Sequence, residues 1–390
     1  MLYDAIVVGA GPAGSTAARL LAAGGASVLL LDRARFPRDK PCGGGVTLRA
    51  AAVLGLDLAP VVERTIYGAR FSIRMGQHFD RWFSQPLAYM TQRRELDAFL
   101  AAAAAEAGAD FRDAHQVREL EIEGAVATIR CNGDPYQAKV VIGADGANGA
   151  VARVVGQRAG DDGVALEGNV GYAKGIPEEW RELVALDLGA LAGGYGWVFP
   201  KGDHLNVGVG SWKYAGFTLR SKLAALSRRY GFDPSKLEDL RGHHLPLRRR
   251  GDPLVKGPAL LIGDAAGLVD PLSGDGIHMA FQSATLAADS ALAYLSGKGE
   301  LNDYREAIEE RLQPELDISR QLQELFHFAP SPYVEVMRRS EHFWQLFCRL
   351  LRGEFTYQSF TRRIGPLRPA LGYLAGIAQR RRLARVAANR

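Results

Sequence analysis

The first part of the chain alternates apolar runs with one turn of small residues. Tyr3 to Val8 is an apolar run that predicts a buried strand, and Gly9 to Gly14 predicts a tight turn after it. The pattern then predicts a helix from Ala13 to Ala23 and a second buried strand from Ser27 to Leu31. Strand, turn, helix and strand in this order are typical of a βαβ unit, so we expect a parallel sheet.

Strand and helix patterns continue along the rest of the chain. Buried-strand patterns return midway and late, and glycine-spaced strands between them predict a second sheet. The predicted elements are a helix over 46–54, strands with aromatics over 66–90, an alanine-rich helix over 93–107, a meander over 110–142 that ends in a buried run over 139–144, the second sheet over 164–212, a buried strand over 259–262 and a helix over 276–295. After Leu301 the pattern is mainly helical, with interruptions at Pro314 and around 329–332.

The turn after the first strand carries the pattern Gly-x-Gly-x-x-Gly. Gly9, Gly11 and Gly14 permit a tight turn, and the helix N-terminus that follows offers free N–H groups and partial positive charge to a pyrophosphate. Asp32 ends the second strand, where a carboxylate can accept hydrogen bonds from the hydroxyls of an adenosine ribose. Together they predict a dinucleotide site, and the alternative is a glycine turn without a ligand.

A second acidic, glycine-rich turn follows the late buried strand. Gly263-Asp264-Ala265-Ala266-Gly267 comes directly after Ile262, and Gly274-Asp275-Gly276 leads into the next helix. Asp264 can bind the ribityl chain of a flavin, and the helix N-terminus can face the pyrimidine edge, where reduction places negative charge. An enzyme that binds only NAD has no use for this element, so the prediction is FAD. An acidic turn that caps a helix is the alternative.

A third turn, Gly143-Ala144-Asp145-Gly146-Ala147-Asn148 with Arg153 further on, lies between the first two. In this order and spacing it resembles the Asp-Gly motif of flavoprotein hydroxylases. Because the pieces lie early, midway and late, we predict an α/β fold: a Rossmann-like FAD-binding domain built from discontinuous segments, an inserted antiparallel β-sheet substrate domain and a helical C-terminal region. The expected segments are 1–65, 93–160 and 255–300 for FAD binding, 66–92 and 161–254 for the β-rich domain, and 301–390 for the C-terminal region with its basic tail.

Two further motifs narrow the resemblance. They are Lys40-Pro41-Cys42-Gly43-Gly44-Gly45-Val46, and Tyr195-Gly196-Trp197-Val198-Phe199-Pro200-Lys201 followed by Val207-Gly208. With Gly263 to Ile277, they make the chain similar to the geranylgeranyl reductase family, within the para-hydroxybenzoate-hydroxylase-like flavoproteins. The resemblance implies an FAD enzyme that saturates isolated C=C bonds of polyprenyl chains carried on chlorophyll, archaeal lipids or menaquinone.

The resemblance also implies which residues contact FAD. Asp32 is a departure, since the family more often has glutamate there. Arg93 opens an Arg-x-x-Leu-Asp-x-x-Leu helix start, whereas Val117 is placed by strand position alone. Joined with the glycines of the first turn, the predicted cofactor contacts are Gly9, Gly11, Ala13, Gly14, Asp32, Arg33, Gly43, Gly44, Gly45, Arg93, Val117, Asp264, Gly276 and Ile277.

The chemistry of an isolated alkene adds requirements of its own. Such an alkene is a poor hydride acceptor, so reduction needs hydride delivered to one carbon while an acid protonates the other, in a dry apolar site. Tyr195, Trp197 and Phe199 alternate along one strand and share a face, which can wall a prenyl channel. The alternative is that these aromatics are packed core between sheet and helix.

Cys42 lies in a glycine-rich loop that we expect beside the flavin. It is the candidate for proton delivery or substrate positioning, and a small buried thiol without a role is the alternative. Cys131 and Cys348 receive no role, and three widely spaced cysteines without a CxxC pair predict neither a disulfide framework nor a metal site. His278 and the pair His243-His244 are interpreted as structural or surface residues, because no spacing supports a metal site or a triad.

Positive charge is concentrated at the end of the chain. The formal net charge is +5, and the tail from Thr361 to Arg390 lacks Asp and Glu but contains arginines at 362, 363, 368, 380, 381, 382, 385 and 390. A solvated face and a nucleic-acid contact are the alternatives for such charge. Interleaving with Leu367, Leu371, Tyr373, Leu374 and Ile377 favours peripheral contact with an anionic bilayer instead.

The composition is that of a globular protein, with 47% hydrophobic and 23% charged residues among 390. No apolar run approaches the roughly 18 residues of a spanning helix, and Met1 leads directly into the first strand without room for a signal peptide. We therefore expect a cytoplasmic protein, placed peripherally on the inner face of the membrane.

Other functions stay open on the sequence. An FAD monooxygenase or halogenase of the same superfamily would share every FAD element, although the Lys-Pro-Cys-Gly-Gly-Gly loop favours the reductase. A non-catalytic flavin-containing carrier that holds a prenyl lipid or passes electrons is a second alternative. Because the chain has no second Gly-x-Gly-x-x-Gly for NADPH, the electron donor is either transiently bound NADPH or a ferredoxin.

Overall fold

The computed structural model describes residues 2–157, 163–172, 175–363 and 368–388. The strands are β1 (Leu2–Val8), β2 (Val28–Leu31), β3 (Gly45–Thr47), β4 (Arg64–Ile66), β5 (Gly68–Ile73), β6 (His78–Trp82), β7 (Ala88–Met90), β8 (Asp110–Arg112), β9 (Val117–Glu123), β10 (Val126–Cys131), β11 (Asp134–Gly143), β12 (Gly163–Gly171), β13 (Leu183–Leu188), β14 (Tyr195–Pro200), β15 (His204–Trp212), β16 (Glu238–Leu245), β17 (Val255–Lys256) and β18 (Ala259–Leu261). The α-helices are α1 (Pro12–Ala23), α2 (Leu48–Leu54), α3 (Arg93–Glu106), α4 (Ala150–Val155), α5 (Leu219–Arg229), α6 (Gly276–Leu295), α7 (Asn302–Ala307), α8 (Gln313–Phe328), α9 (Pro330–Arg339), α10 (Glu341–Leu351), α11 (Tyr357–Arg363) and α12 (Arg368–Ala388).

The first sheet has the strand order β17-β18-β11-β1-β2-β8, and β18, β11, β1, β2 and β8 run parallel. Its central strands are buried on both faces, and the helices α1 and α6, which pack against each other, contact β1, β2 and β11. Val8 pairs with Leu31 and Gly143, and Gly143 pairs with Leu261, so these strands end at one edge. The three turns of the sequence analysis therefore meet there, where ligands bind in open parallel sheets.

The second sheet has the order β16-β12-β15-β14-β13-β5-β6. Its neighbours are antiparallel, as predicted, except for β5 and β13, which pair in parallel from Gly68–Leu183 to Ile73–Leu188. These two strands come from separate segments of the chain, so no hairpin forces them to be antiparallel. Gly208 lies opposite Trp197, and a Cβ at this glycine would lie 2.0 Å from the indole ring.

A small third sheet, β3-β7-β4, was not predicted. The helix expected over 46–54 begins only at Leu48, because Gly45–Thr47 pair with β7. This sheet joins strands from segments that the sequence analysis assigned to different domains. The domain boundaries themselves stay predictions.

The C-terminal helices lie against both larger sheets. Trp344 of α10 is fully buried, packs on Phe71 of β5 with ring centroids 6.1 Å apart, and donates a hydrogen bond of 2.8 Å to the carbonyl oxygen of Trp82. α12 packs along α8 through Ala375 and Ala378. Within the described ranges, every helix is too short or too polar to cross a bilayer.

Candidate active site

A cavity of about 720 Å³ lies between the carboxyl edge of the first sheet, the aromatic face of β14 and the helices α8 to α10. It collects residues that are far apart in the chain. Of the residues predicted from the sequence, those that line it are Gly11, Ala13, Cys42, Gly43, Gly44, Gly45, Arg93, Tyr195, Trp197, Phe199, Asp264, Gly276 and Ile277. The remaining predicted residues lie outside its walls.

The turn before α1 forms one end of the cavity. Gly14 approaches the turn so closely that a Cβ there would lie 1.8 Å from the carbonyl oxygen of Gly9. Gly11 precedes the helix and has no side chain to cap it, which leaves the first N–H groups of α1 for a ligand. A Cβ at Gly11 would lie 3.6 Å from a guanidinium nitrogen of Arg38 and 3.9 Å from one of Arg93. An uncapped helix N-terminus beside two guanidinium groups fits the pyrophosphate of FAD.

Carboxylates hold this end of the cavity in place. Asp32, at the end of β2, accepts a hydrogen bond of 2.8 Å from the N–H of Ala10. Asp97 accepts two bonds of 2.8 Å from Arg93 and lies 2.9 Å from Arg38. Burial alone would lower the pKa of Arg93, but Asp97 and the thiol of Cys42 outweigh it and raise this pKa above its ordinary value. Arg93 is therefore charged, and Asp97 holds both guanidinium groups beside the turn.

The second turn places Asp264 in the cavity wall. Its carboxylate lies 3.1 Å from Nζ of Lys40 and 3.5 Å from Nε2 of His243. Burial would raise the pKa of Asp264, but Lys40 and His243 outweigh it and hold this pKa below its ordinary range. His243, interpreted from the sequence as structural or surface, thus lies in the wall beside an ionised carboxylate. Asp264 fits the hydroxyls of a ribityl chain.

The helix α6 begins directly after this turn. Asp275 caps it by accepting a hydrogen bond of 3.0 Å from the N–H of His278, and also lies 3.2 Å from Arg49. The ring of His278 is largely buried, and burial with the nearby Arg49 lowers its pKa to about 4. His278 is therefore neutral near pH 7, and Gly276 and Ile277 face the cavity.

The third turn lines the cavity with its backbone, at Ala144 and Gly146. Its acid, Asp145, points away and accepts a hydrogen bond of 2.9 Å from the N–H of Val151 in α4. Burial raises the pKa of this carboxyl. Asp145 is therefore a local cap in this structure.

The loop that carries Cys42 is held from the second sheet. The N–H of Cys42 donates a hydrogen bond of 2.6 Å to Oε1 of Glu167 in β12. Lys201 donates through Nζ to the carbonyl oxygens of Gly43 at 2.6 Å and Thr91 at 2.8 Å. Gly44 has φ +62, and a Cβ there would lie 2.1 Å from the oxygen of Thr91, so only glycine fits.

Charged groups surround the thiol of Cys42. The sulfur of Cys42 accepts a hydrogen bond of 3.4 Å from the N–H of Gly44. The guanidinium of Arg93 and the ammonium of Lys201 are close enough to interact with it electrostatically. Burial lowers the pKa of Lys201 to about 8 and raises the pKa of Glu167. The sequence did not predict Glu167 or Lys201 as site residues. Lys201 ends the aromatic motif of β14, and its place in that motif was a signal that could have identified it.

The aromatic face of β14 packs on the same loop. Ring centroids of Tyr195 and Trp197 lie 6.1 Å apart, and those of Trp197 and Phe199 lie 6.2 Å apart. A Cβ at Gly43 would lie 2.8 Å from the ring of Phe199, so glycine lets the loop touch the aromatic wall. Trp197 is oriented by a hydrogen bond of 2.8 Å from Nε1 to Oδ1 of Asn206.

From this wall an apolar arm of the cavity extends beneath the C-terminal helices. Its walls come from β5 and β13 on one side and from α8, α9 and α10 on the other. The arm is lined by Phe71, Leu186, Leu188, Leu322, Phe326, Tyr333, Val334, Met337, Phe343, Trp344, Phe347, Leu350 and Leu351. The sequence pattern predicts helices in this region but no site residue.

Five predicted cofactor contacts lie outside the lining. Gly9 and Gly14 belong to the first turn, and Asp32 accepts a hydrogen bond from the backbone of this turn. The exposed Arg33 follows Asp32. Val117 lies in β9, where it pairs with Cys131. These five residues stay predictions for cofactor contact. In the basic tail, Arg390 and Leu367 and the side chains of Arg363, Arg368, Leu371 and Arg385 lie outside the described residues.

Comparison with known proteins agrees with this geometry. Residues 2–186 match the family model described as an FAD binding domain. The chain is 34% identical over 338 residues to menaquinone reductase of Mycolicibacterium smegmatis, covering 78% of each chain. It is 30% identical over 351 residues to digeranylgeranylglycerophospholipid reductase 1 of Methanopyrus kandleri, covering 83% of this chain and 91% of that one.

Solved structures share the fold. A geranylgeranyl bacteriochlorophyll reductase-like protein of Thermoplasma acidophilum has a TM-score of 0.71 and 28% identity over 83% of this chain and 87% of that chain. A flavin-dependent brominase has a TM-score of 0.74 over 98% of this chain and all of its own, but at 19% identity it shows the fold alone. With the FAD cradle and the identities above, this chain belongs to the geranylgeranyl reductase family of FAD-dependent oxidoreductases.

Proposed function

We propose that the protein reduces isolated C=C bonds of a polyprenyl chain. The observation that carries the proposal is that one cavity is lined both by residues of the FAD cradle, such as Gly11 and Asp264, and by apolar residues of the arm, such as Phe347. FAD, when bound and reduced, supplies a hydride. An alkene held beside the cradle leaves the rest of its chain in the arm.

The arm suits a long apolar ligand. Its walls are aliphatic and aromatic side chains, so water inside it has few hydrogen-bond partners. Transfer of an apolar ligand chain from water into the arm is therefore favourable. A polar or small aromatic substrate would leave most of this surface uncovered. Polyprenyl chains on quinones or glycerophospholipids fit, and the names of the relatives point to the same class.

Cys42 is the proposed proton donor. Its Sγ would give a proton to one alkene carbon while the other carbon takes the hydride, so the bond gains two hydrogens in all. The guanidinium of Arg93 is close enough to interact with Cys42 electrostatically and would stabilise the thiolate left behind. Glu167 and Lys201 hold the loop by its N–H and carbonyl groups, which positions Sγ.

The electron donor is proposed to bind transiently, as NADPH or as a ferredoxin. Stopped-flow reduction of the bound FAD by each donor distinguishes the two. Rapid bleaching by NADPH alone, or by reduced ferredoxin alone, identifies the donor.

Mass spectrometry tests the proposed reaction. The FAD-loaded enzyme, reduced with dithionite, is incubated with detergent-dispersed menaquinone, a digeranylgeranyl glycerophospholipid or geranylgeranyl diphosphate. We expect products heavier by two hydrogens for each reduced bond. Unchanged lipids, together with NADPH oxidation that yields a hydroxylated or halogenated aromatic, would favour a monooxygenase or halogenase. Bound FAD without turnover of any substrate would favour a carrier.

A further inference from the structure

We propose that the protein docks on an anionic bilayer through a ring of exposed aromatic residues at the mouth of the cavity. The ring, called the aromatic rim here, consists of the aromatic residues Tyr214, Phe217, Phe328 and Tyr333 together with the aliphatic Val336. The proposal rests on the proposed function, since a polyprenyl lipid is held in bilayers and must enter the cavity from one. It also identifies a surface that the sequence did not predict.

The mouth is located by Tyr333 at the start of α9. Tyr333 lines the cavity and is 37% exposed, so its ring connects the inside of the arm to the outside. It packs against Phe326, another cavity-lining ring, with centroids 5.9 Å apart. Phe328, at the end of α8, is 51% exposed, and Val336 is exposed one turn after Tyr333 on α9. The junction between α8 and α9 thus presents apolar side chains to solvent at the opening.

The turn after β15 forms the other side of the rim. Trp212 packs against His327 of α8 with centroids 5.4 Å apart and against Tyr214 with centroids 6.0 Å apart, which brings this turn to the mouth. A short 3₁₀ helix, Lys213–Thr218, follows. Side chains three residues apart eclipse in such a helix, so Phe217 projects on the same side as Tyr214. Phe217 is 88% exposed, and contact of a phenyl ring with water to this extent is energetically unfavourable.

Basic residues accompany these rings. Lys213 and Arg220 are exposed beside Phe217, and the segment 213–220 has no Asp or Glu. The guanidinium of Arg381 lies over the ring of Phe328 at 5.4 Å from its centroid. On α9, Glu335 is paired with Arg338 and Arg339, which leaves that helix net positive.

Charge and apolar exposure together identify the partner. Exposed aromatic and aliphatic side chains interleaved with Lys and Arg bind the interface of anionic bilayers, where rings enter the headgroup region and cations meet lipid phosphates. A bilayer also fits the opening, because a prenyl chain could move from the lipid into the arm without crossing water.

Only part of the basic tail that was predicted to bind the membrane contributes to the proposed docking surface. Arg382 is turned inward, where it pairs with Glu324 at 2.7 Å and lies 4.4 Å from the ring centroid of Trp212. Removing the chain after Phe360 would therefore strip α12 from α8 and disturb the mouth itself. Substitutions at exposed rim positions test the proposal without this damage.

Vesicle co-sedimentation of the FAD-loaded full chain is the test. Vesicles are phosphatidylcholine alone or phosphatidylcholine with phosphatidylglycerol, at low and high salt. The variants are Phe217→Ser with Phe328→Ser, and Lys213→Gln with Arg381→Gln. The matched control is Leu2→Ser, which removes an exposed apolar side chain at the opposite, amino-terminal edge of the first sheet.

We expect the wild type and Leu2→Ser to bind anionic vesicles and to lose binding in high salt. The phenylalanine pair should weaken binding at least about tenfold, and the charge pair should weaken it by at least about fivefold. FAD content and melting temperature, unchanged in all variants, show that the fold is retained. If the phenylalanine pair loses FAD, Tyr214→Ser replaces it.

Three results would overturn the docking surface. They are equal vesicle binding by the wild type and both pairs, wild-type binding without a preference for anionic lipid, and a concentration-dependent dimer in the absence of vesicle binding that the phenylalanine pair abolishes. Detergent-dispersed substrate separates this proposal from the proposed function. A wild type that binds anionic vesicles through the rim but reduces no prenyl chain would support the docking surface and overturn the function.

Discussion

The ammonium group of Lys201 lies 2.6 Å from the carbonyl oxygen of Gly43 and donates a hydrogen bond to it. The contact joins the end of β14 to the loop of Cys42, so one buried side chain connects the substrate wall to the cofactor cradle. The buried ammonium also makes stability depend on pH.

Replacing Lys201 with Met should change how stability depends on pH. Burial lowers the pKa of Lys201 to about 8, whereas an unfolded lysine has a pKa of about 10.4. Between these values the unfolded chain binds more protons, so the wild type gains stability as pH rises through the window. The free energy of unfolding of the wild type minus that of Lys201→Met should therefore rise by about 3 kcal/mol from about pH 8 to pH 10.4.

Urea unfolding at several pH values measures this difference. The exposed Lys236 provides the control, and Lys236→Met should leave the pH profile parallel to that of the wild type. A flat difference curve for Lys201→Met would mean that the Lys201 ammonium is not destabilised by burial.

Cys42→Ala should keep FAD but reduce alkenes far more slowly. Loss of a general acid costs about 10²- to 10⁴-fold in rate, while the backbone contacts of the loop to Glu167 and Lys201 do not need the thiol. The measurement is single-turnover reoxidation of the reduced enzyme by a prenyl substrate. Cys131→Ala, a buried thiol in β10 away from the cavity, is the matched control. Full activity of Cys42→Ala would assign proton donation to a water molecule or another side chain.

The wild type should purify as a yellow protein, and Asp264→Ala should lose most of its flavin. The substitution removes the acceptor for the ribityl chain and leaves Lys40 and His243 without their carboxylate. A hydrogen bond to a charged group contributes about 1.5–3 kcal/mol, so FAD affinity should fall at least about tenfold. Titration with FAD after removal of the flavin measures this, with the exposed Asp203→Ala as control. A wild type that binds no FAD when refolded with an excess would contradict the assignment of the cradle.

Arg382→Ala should destabilise the C-terminal region, whereas Arg380→Ala on the same helix should not. Arg382 makes hydrogen bonds of 2.7–3.1 Å to the buried carboxylate of Glu324, and Arg380 is exposed. Removing one partner leaves an unpaired buried charge, at a cost of about 3 kcal/mol. Urea unfolding and amide hydrogen exchange in α12 measure the effect.

Adding Glu324→Gln to Arg382→Ala should restore part of the lost stability, because it removes the unpaired charge. Equal stability of the Arg380 and Arg382 variants would mean that α12 is not held to α8 by this ion pair.

The sequence by itself determined the cofactor end of this protein. Glycines at fixed offsets, an apolar strand before them and a helix after them are local features, so Gly9 to Gly14 and Gly263 to Gly276 predict their turns directly. Parallel strands then place all such turns at one edge, which is why three pieces far apart in the chain could be predicted to form one site. The aromatic face of β14 followed from the two-residue period of a strand.

Only the tertiary structure decided what surrounds that end. Glu167 reaches the N–H of Cys42 across 125 positions of the chain, and Arg382 of the predicted membrane tail turns inward to Glu324. The apolar arm likewise joins Phe71 of β5 to Trp344 of α10. Such contacts have no local pattern, because any apolar or charged side chain satisfies the same periodicity whether it faces the core, a cavity or solvent. Which of these it faces depends on the packing of distant elements, and packing is a property of the folded chain.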